Sequence, residues 1–125
     1  MATVQNEQII TLTAGEDLSA KQYYLATIST GADNTASLAG DGNKAYVILN
    51  EPSTGQAASL AIGGVTKVVA GAGFTRGDKL ASNGSGKAIA AVGGGTKHVV
   101  GFALESASGD GAVVRMLVVS PTLLV

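Results

Sequence analysis

The sequence predicts an all-β fold, a small single-domain barrel or two-sheet sandwich (jelly-roll or tulip-like) of about nine short strands with an extended N-terminal arm. Three observations carry this reading. Short β-branched or apolar runs recur along the chain, clusters of Gly, Asn, Asp and Ser separate them at close spacing, and no long stretch sustains a helical period. Alternation and turns of this kind fit a closed barrel and a two-sheet sandwich equally.

The elements follow in order. Residues 1–8 read as an arm, and residues 9–125 as one β domain. The β-branched run 9–13 ends at the turn signal Ala14-Gly15. Asp17 is placed to cap a single helical turn before Tyr24. Residues 23–29 predict a strand with Tyr23, Leu25 and Thr27 on one face and Tyr24, Ala26 and Ile28 on the other. The small, polar stretch 31–43 reads as a long exposed loop with a short strand around 36–39. The apolar run 46–49 has the length of a buried strand. Gly63-Gly64 lies between the runs 57–62 and 65–70, which predicts a tight type I′ or II′ hairpin. Asn83-Gly84-Ser85-Gly86 predicts another between 79–82 and 87–91, after which Gly93-Gly94-Gly95 breaks the chain. Strands at 99–105 and 113–119 frame a turn cluster, and Pro121 opens a short apolar tail that a monomer would have to tuck away.

Composition bounds the function. The chain has 125 residues, 46% hydrophobic but only 4% aromatic, 14% charged, with 18 glycines, about twice the usual share. Scaling predicts roughly 6,100 Å² exposed when folded against about 17,800 Å² unfolded, enough burial for one modest core. Eight Lys and Arg against nine Asp and Glu give a net charge of −1, without the basic excess a nucleic-acid partner calls for. There is no cysteine, so disulfides, thiolate metal sites and Cys nucleophiles are excluded. No run has the length of a membrane span and no signal-peptide pattern is present, so the expectation is synthesis in the cytoplasm and no membrane partner. A mean hydropathy of +0.32 is high for so small a chain and predicts apolar surface covered by another chain.

Catalytic, cofactor-binding and metal-binding residues are not expected. His98 is the only histidine, short of what a triad or a zinc site requires, and reads as a solvated strand-end residue. Glu16 and Asp17 open the predicted helical turn, while Asp33, Asp41 and Asp110 sit in turn sequences where Asp bonds its own backbone. The run Gly71 to Gly77 lacks dinucleotide-loop spacing, and Gly93 to Lys97 lacks phosphate-loop order. Arg76-Gly77-Asp78 spells an adhesion tripeptide but reads as a turn.

The ordered motifs Thr11-Leu12-Thr13-Ala14-Gly15-Glu16-Asp17-Leu18-Ser19-Ala20 and Gly55-Gln56-Ala57-Ala58-Ser59-Leu60-Ala61-Ile62-Gly63-Gly64-Val65-Thr66-Lys67-Val68 resemble the head decoration (capsid cement) proteins of tailed phages. The likeness continues through Arg76-Gly77-Asp78-Lys79-Leu80, Gly86-Lys87-Ala88 and Val100 to Ala107, spanning roughly residues 9–119. At Ala45-Tyr46-Val47-Ile48-Leu49 the sequence departs from the Gly-Val-Leu-like strand expected there. The resemblance implies a non-enzymatic virion protein, made in the host cytoplasm, that binds the outer surface of the assembled head. Its partners would be the major capsid protein and itself, most often as a homotrimer, with a dimer as the other option.

The expected protein-interface residues are Val4, Ile9 and Ile10 of the arm region, Tyr23, and Leu123, Leu124 and Val125 of the tail. The first alternative is a virion surface module, fibre-like or carbohydrate-binding, engaging a host through residues 31–43 or the Arg76–Asp78 turn. A distant second is a small carboxylate-dependent hydrolase.

Overall fold

The computed structural model describes residues 8–92 and 97–123; Val4, Gly93 to Gly95, Leu124 and Val125 lie outside the described residues. Among the described residues, nine strands follow one another with no helix: β1 (Gln8–Ala14), β2 (Leu25–Ile28), β3 (Thr35–Leu38), β4 (Tyr46–Ile48), β5 (Ala57–Val69), β6 (Lys79–Ser82), β7 (Ala88–Ala90), β8 (His98–Ala103) and β9 (Val113–Leu123).

Their order resolves the barrel-or-sandwich ambiguity. Strands run β1-β3-β2-β4-β5, and β5 pairs back onto β1, so the first five strands close into a ring. Only β1 and β3 are parallel in it. The ladder then continues β5-β9-β8-β6-β7. This second sheet curls as well: Ala70, just past β5, bridges Ala88 at the start of β7, and Gly71 N–H donates to Ala88 O at 2.7 Å.

β5 is the member common to both sheets, and here the structure corrects the predicted Gly63-Gly64 hairpin. The two apolar runs are halves of one 13-residue strand. A type I′ turn needs positive φ at both central residues and a II′ turn at the first. Only Gly64, the second, has it, at φ +84°. The glycines kink the strand instead of reversing it. Residues up to Gly63 pair with β1, and from Gly64 onward the partner is β9. A register shift between Gln8 and Ile9 absorbs Ile62 as an extra residue on β5.

Burial follows the pleat. Ala14, Ala26, Ala36, Ile48, Ala58 and Leu60 fill the ring interior with Leu18, joined by half-buried Ile10 and Leu12. Four of the six strand positions are alanine, the volume a five-strand ring has room for. The opposite faces of the same strands carry Leu25, Val47 and Ala61, all fully buried against the second sheet with Val68, Leu80, Val100, Val114 and Met116. Thus β2, β4 and β5 are buried on both faces, which explains their continuous apolar runs.

The predicted strand at residues 23–29 starts later, at Leu25. Two four-residue turns, closed by Lys21 N–H to Leu18 O and Tyr24 N–H to Lys21 O, replace helix and strand there. Tyr23 adopts a left-handed φ of +67°. Its N–H donates to Ile48 O at 2.7 Å and its carbonyl accepts from Val69 N at 2.9 Å, so this bend is tied to β4 and β5. The Asn83 to Gly86 hairpin forms as predicted, with Asn83 Oδ1 accepting from the Ser85 and Lys87 amides at 2.8 and 3.0 Å.

Candidate interaction surface

The described members of the predicted interface set are not brought into one patch. Ile9 points outward from β1 and is 51% exposed, whereas its neighbour Ile10 packs inside the ring. Tyr23 packs against the larger core with its ring under the Lys67 ammonium, 5.9 Å away. Ile9 pairs with Ala61 and Tyr23 bonds to Val69, eight residues or roughly 26 Å further along β5. Leu123 closes β9 opposite His98.

Three of the six exposed large hydrophobic residues in the described part of the chain, Leu104, Val113 and Leu117, lie elsewhere, on or beside the outer face of β5, β9 and β8. Cross-strand register lines up Val65, Leu117 and Phe102 in one row, which Lys79 of β6 extends. Val113 is 52% exposed on the same face, and Leu104 45% exposed just past β8, its N–H on Arg115 O. Lys67 stands directly opposite Arg115. Two like charges so placed destabilise a bare sheet. Glu105 is the neighbouring acid, and it accepts from the Arg115 backbone N–H at 2.9 Å. Sequence reading placed strands at 65–70 and 113–119 without assigning their faces; the alternation Val113, Arg115, Leu117 was the available signal.

A second concave feature lies where the ring meets the other sheet. Thr27, Ile28, Thr30, Asp41, Gly42, Asn43, Lys44, Tyr46 and His98 line a cavity of about 480 Å³. Gly42 is buried, donates to Ser82 O, and accepts at its carbonyl both the His98 backbone N–H (2.9 Å) and the His98 ring nitrogen Nδ1 (3.0 Å). His98 is therefore a half-buried, pinned residue and not the solvated strand end expected.

The carboxylates are mostly spoken for. Asp41 and Asp110 take ion pairs, with Lys97 at 2.7 Å and Lys87 at 2.9 Å, in place of the predicted turn bonds. The hydrogen bond from Lys87 to Asp110 raises the lysine's pKa above its ordinary value. Hydrogen bonds from Ser19 hold Asp17 below the usual carboxylate range. Glu16 caps the Leu38 N–H at 2.9 Å, and Asp78 closes the Arg76–Asp78 turn by accepting from Thr75 N. Among the described residues, no three His, Cys, Asp or Glu side chains converge as metal ligands.

A closed β ring joined to a second sheet, with an exposed apolar and cationic face, is a framework suited to docking against another surface. The model of the phage cement protein family matches residues 4–118, so the chain belongs to that family and is a structural protein associated with the phage head. No curated protein matches the chain significantly. Among solved structures, the base of the head fibre gp8.5 (its N base) of bacteriophage phi29 is similar in fold, with a TM-score of 0.70 at 24% identity over 94% of this chain and 98% of that one.

Proposed function

We propose that this chain is a capsid cement protein without enzymatic activity. It binds the outer surface of an assembled phage head, as a homotrimer, and stabilises contacts between neighbouring major capsid protein subunits. Membership of the cement family over residues 4–118 carries this reading. The exposed β5–β9–β8 face supports it physically. Covering Val113, Leu117 and Leu104 removes apolar area from water at about 25 cal/mol per Å². An acidic segment of coat protein laid over Lys67 and Arg115 relieves the repulsion that the bare sheet carries. Repeated identical sites on a shell let an oligomer engage several subunits at once, so modest contacts sum to firm attachment. Ile9, exposed on β1, belongs to the same proposal as a contact to a neighbouring subunit, together with Val4 and the tail residues Leu123, Leu124 and Val125.

The test is cosedimentation with mature heads stripped of this chain. Saturable binding at a fixed ratio to coat protein is expected, and the ratio identifies the symmetry position. Leu117→Asp and Arg115→Glu should each weaken binding about tenfold or more, with Arg115→Glu also reducing its salt dependence. A folded protein that does not bind intact heads ends the proposal. The arm must be tested by removing residues 1–7, because Gln8, Ile9 and Ile10 pair with β5 and their loss would open the ring.

A further inference from the structure

The geometry points to a saccharide-binding pocket in the cavity bounded by the end of β2, the 40–44 loop, Tyr46 and His98. Its volume, about 480 Å³, lies in the range of small-ligand sites and accommodates one or two sugar rings. Three features select this ligand class.

First, the rim presents acceptors and donors side by side. A carbonyl can only accept, so His98 Nδ1 must carry the hydrogen it gives to Gly42 O, and in the neutral ring Nε2 then holds a lone pair. Asp41 gives Oδ1 to Lys97, leaving Oδ2 as an acceptor. Asn43 spends Oδ1 on the Gly40 N–H at 2.6 Å, which leaves its amide hydrogens as donors. The Thr27, Thr30 and Tyr46 hydroxyls line the cavity, and a hydroxyl can both donate and accept. A polyol needs this alternation, since each sugar hydroxyl donates once and accepts as well.

Second, Tyr46 and the half-exposed Ile28 give the pocket apolar wall against which the C–H face of a pyranose can pack. Third, the charge is wrong for the main rival, a phosphate. Asp41 brings its carboxylate to the cavity while pairing with Lys97, which is not among the lining residues, and Lys44 is the one lysine that lines it. A phosphate dianion would meet that carboxylate, as would a uronate to a smaller degree, whereas a neutral sugar would not be repelled. The wall is also preorganised: Gly42 is fixed by three hydrogen bonds, so the loop and His98 move as one piece.

The test is an NMR amide titration of the full chain with glucose, N-acetylglucosamine, glucuronic acid and, separately, inorganic phosphate, each to about 50 mM, with Kd near 1 mM expected for a single ring in so open a site. At least one sugar should give saturable shifts confined to residues 27–30, 41–46 and 98. Tyr46→Phe, which removes only the phenol oxygen, and Thr27→Val should each weaken that binding at least about fivefold while the rest of the spectrum is unchanged. The proposal is overturned if no sugar gives saturable shifts in a folded sample, if phosphate produces the same shifts and competes, or if both variants bind like the parent. It does not rest on the cement reading, and head binding measured on the same variants keeps the two outcomes distinguishable.

Discussion

Gly101 on β8 shows how strictly single residues are constrained where the second sheet is tightest. A Cβ there would fall 2.5 Å from Leu117 O, 2.6 Å from Met116 Sδ and 2.7 Å from Met116 Cγ. Met116 is fully buried and the carbonyl belongs to the adjoining strand, so neither can retreat cheaply. Gly101→Ala should therefore destabilise the fold by about 1–3 kcal/mol, read as a lower urea midpoint with an unchanged slope. An unchanged midpoint would mean that β8 and β9 can separate more easily than their register implies. This requirement was invisible in the sequence, where Gly101 is one strand residue among several. It arises from the register shift between Val99 and Gly101 against β9, which no local pattern encodes. The same holds for His98: its only polar neighbour that matters, Gly42, is 56 residues away. By contrast, Asn83 and Asp78 act within their own turns, and their roles were legible because the partners lie two to four residues along the chain.

Among the elements, β5 organises the rest, and it is the one whose nature the sequence obscured. Two apolar runs around a glycine pair are the local signature of a hairpin, and local rules cannot tell a reversal from a kink. What decides is long-range: β1 and β4 hold the first half, β9 the second, and the strand needs one residue free to take positive φ as it passes between them. The two glycines should then respond differently to substitution. At Gly64, φ +84° strains any side chain, so Gly64→Ala should cost about 1–2 kcal/mol. At Gly63, an added Cβ meets only the Gln8 side chain, most closely its Oε1 at 3.0 Å, the movable end of a flexible chain, so Gly63→Ala should stay within about 0.5 kcal/mol of the parent. Denaturant melts of the two variants check this, and equal losses would contradict the continuous strand. The shorter strands were easier to read. β3, β4, β6 and β7 fall within a residue or two of the positions their composition predicts, since Gly, Asn and Asp mark both their ends.

At the scale of the whole molecule, the question is whether a closed ring and a second curled sheet behave as one unit or as two. Three strands answer it. β2, β4 and β5 each put one face into the ring interior and the other into the larger core, so Leu25 and Ala26, Val47 and Ile48, Leu60 and Ala61 divide between the two clusters residue by residue. Neither cluster can be exposed without stripping one side of the same three strands, and β5 cannot leave one sheet without disturbing the other. Unfolding should accordingly be a single cooperative transition, with calorimetric and van't Hoff enthalpies equal. Met116→Ala, in the larger core, and Leu60→Ala, in the ring, should each cost about 2–5 kcal/mol and lower that one transition, both probes moving together. Two separable transitions, with Met116→Ala shifting only one, would make the ring an independent folding unit. In that case the outer face of β5, β9 and β8, which is proposed to meet the shell, would belong to a sheet able to rearrange on docking, and binding strength would no longer follow from a rigid surface.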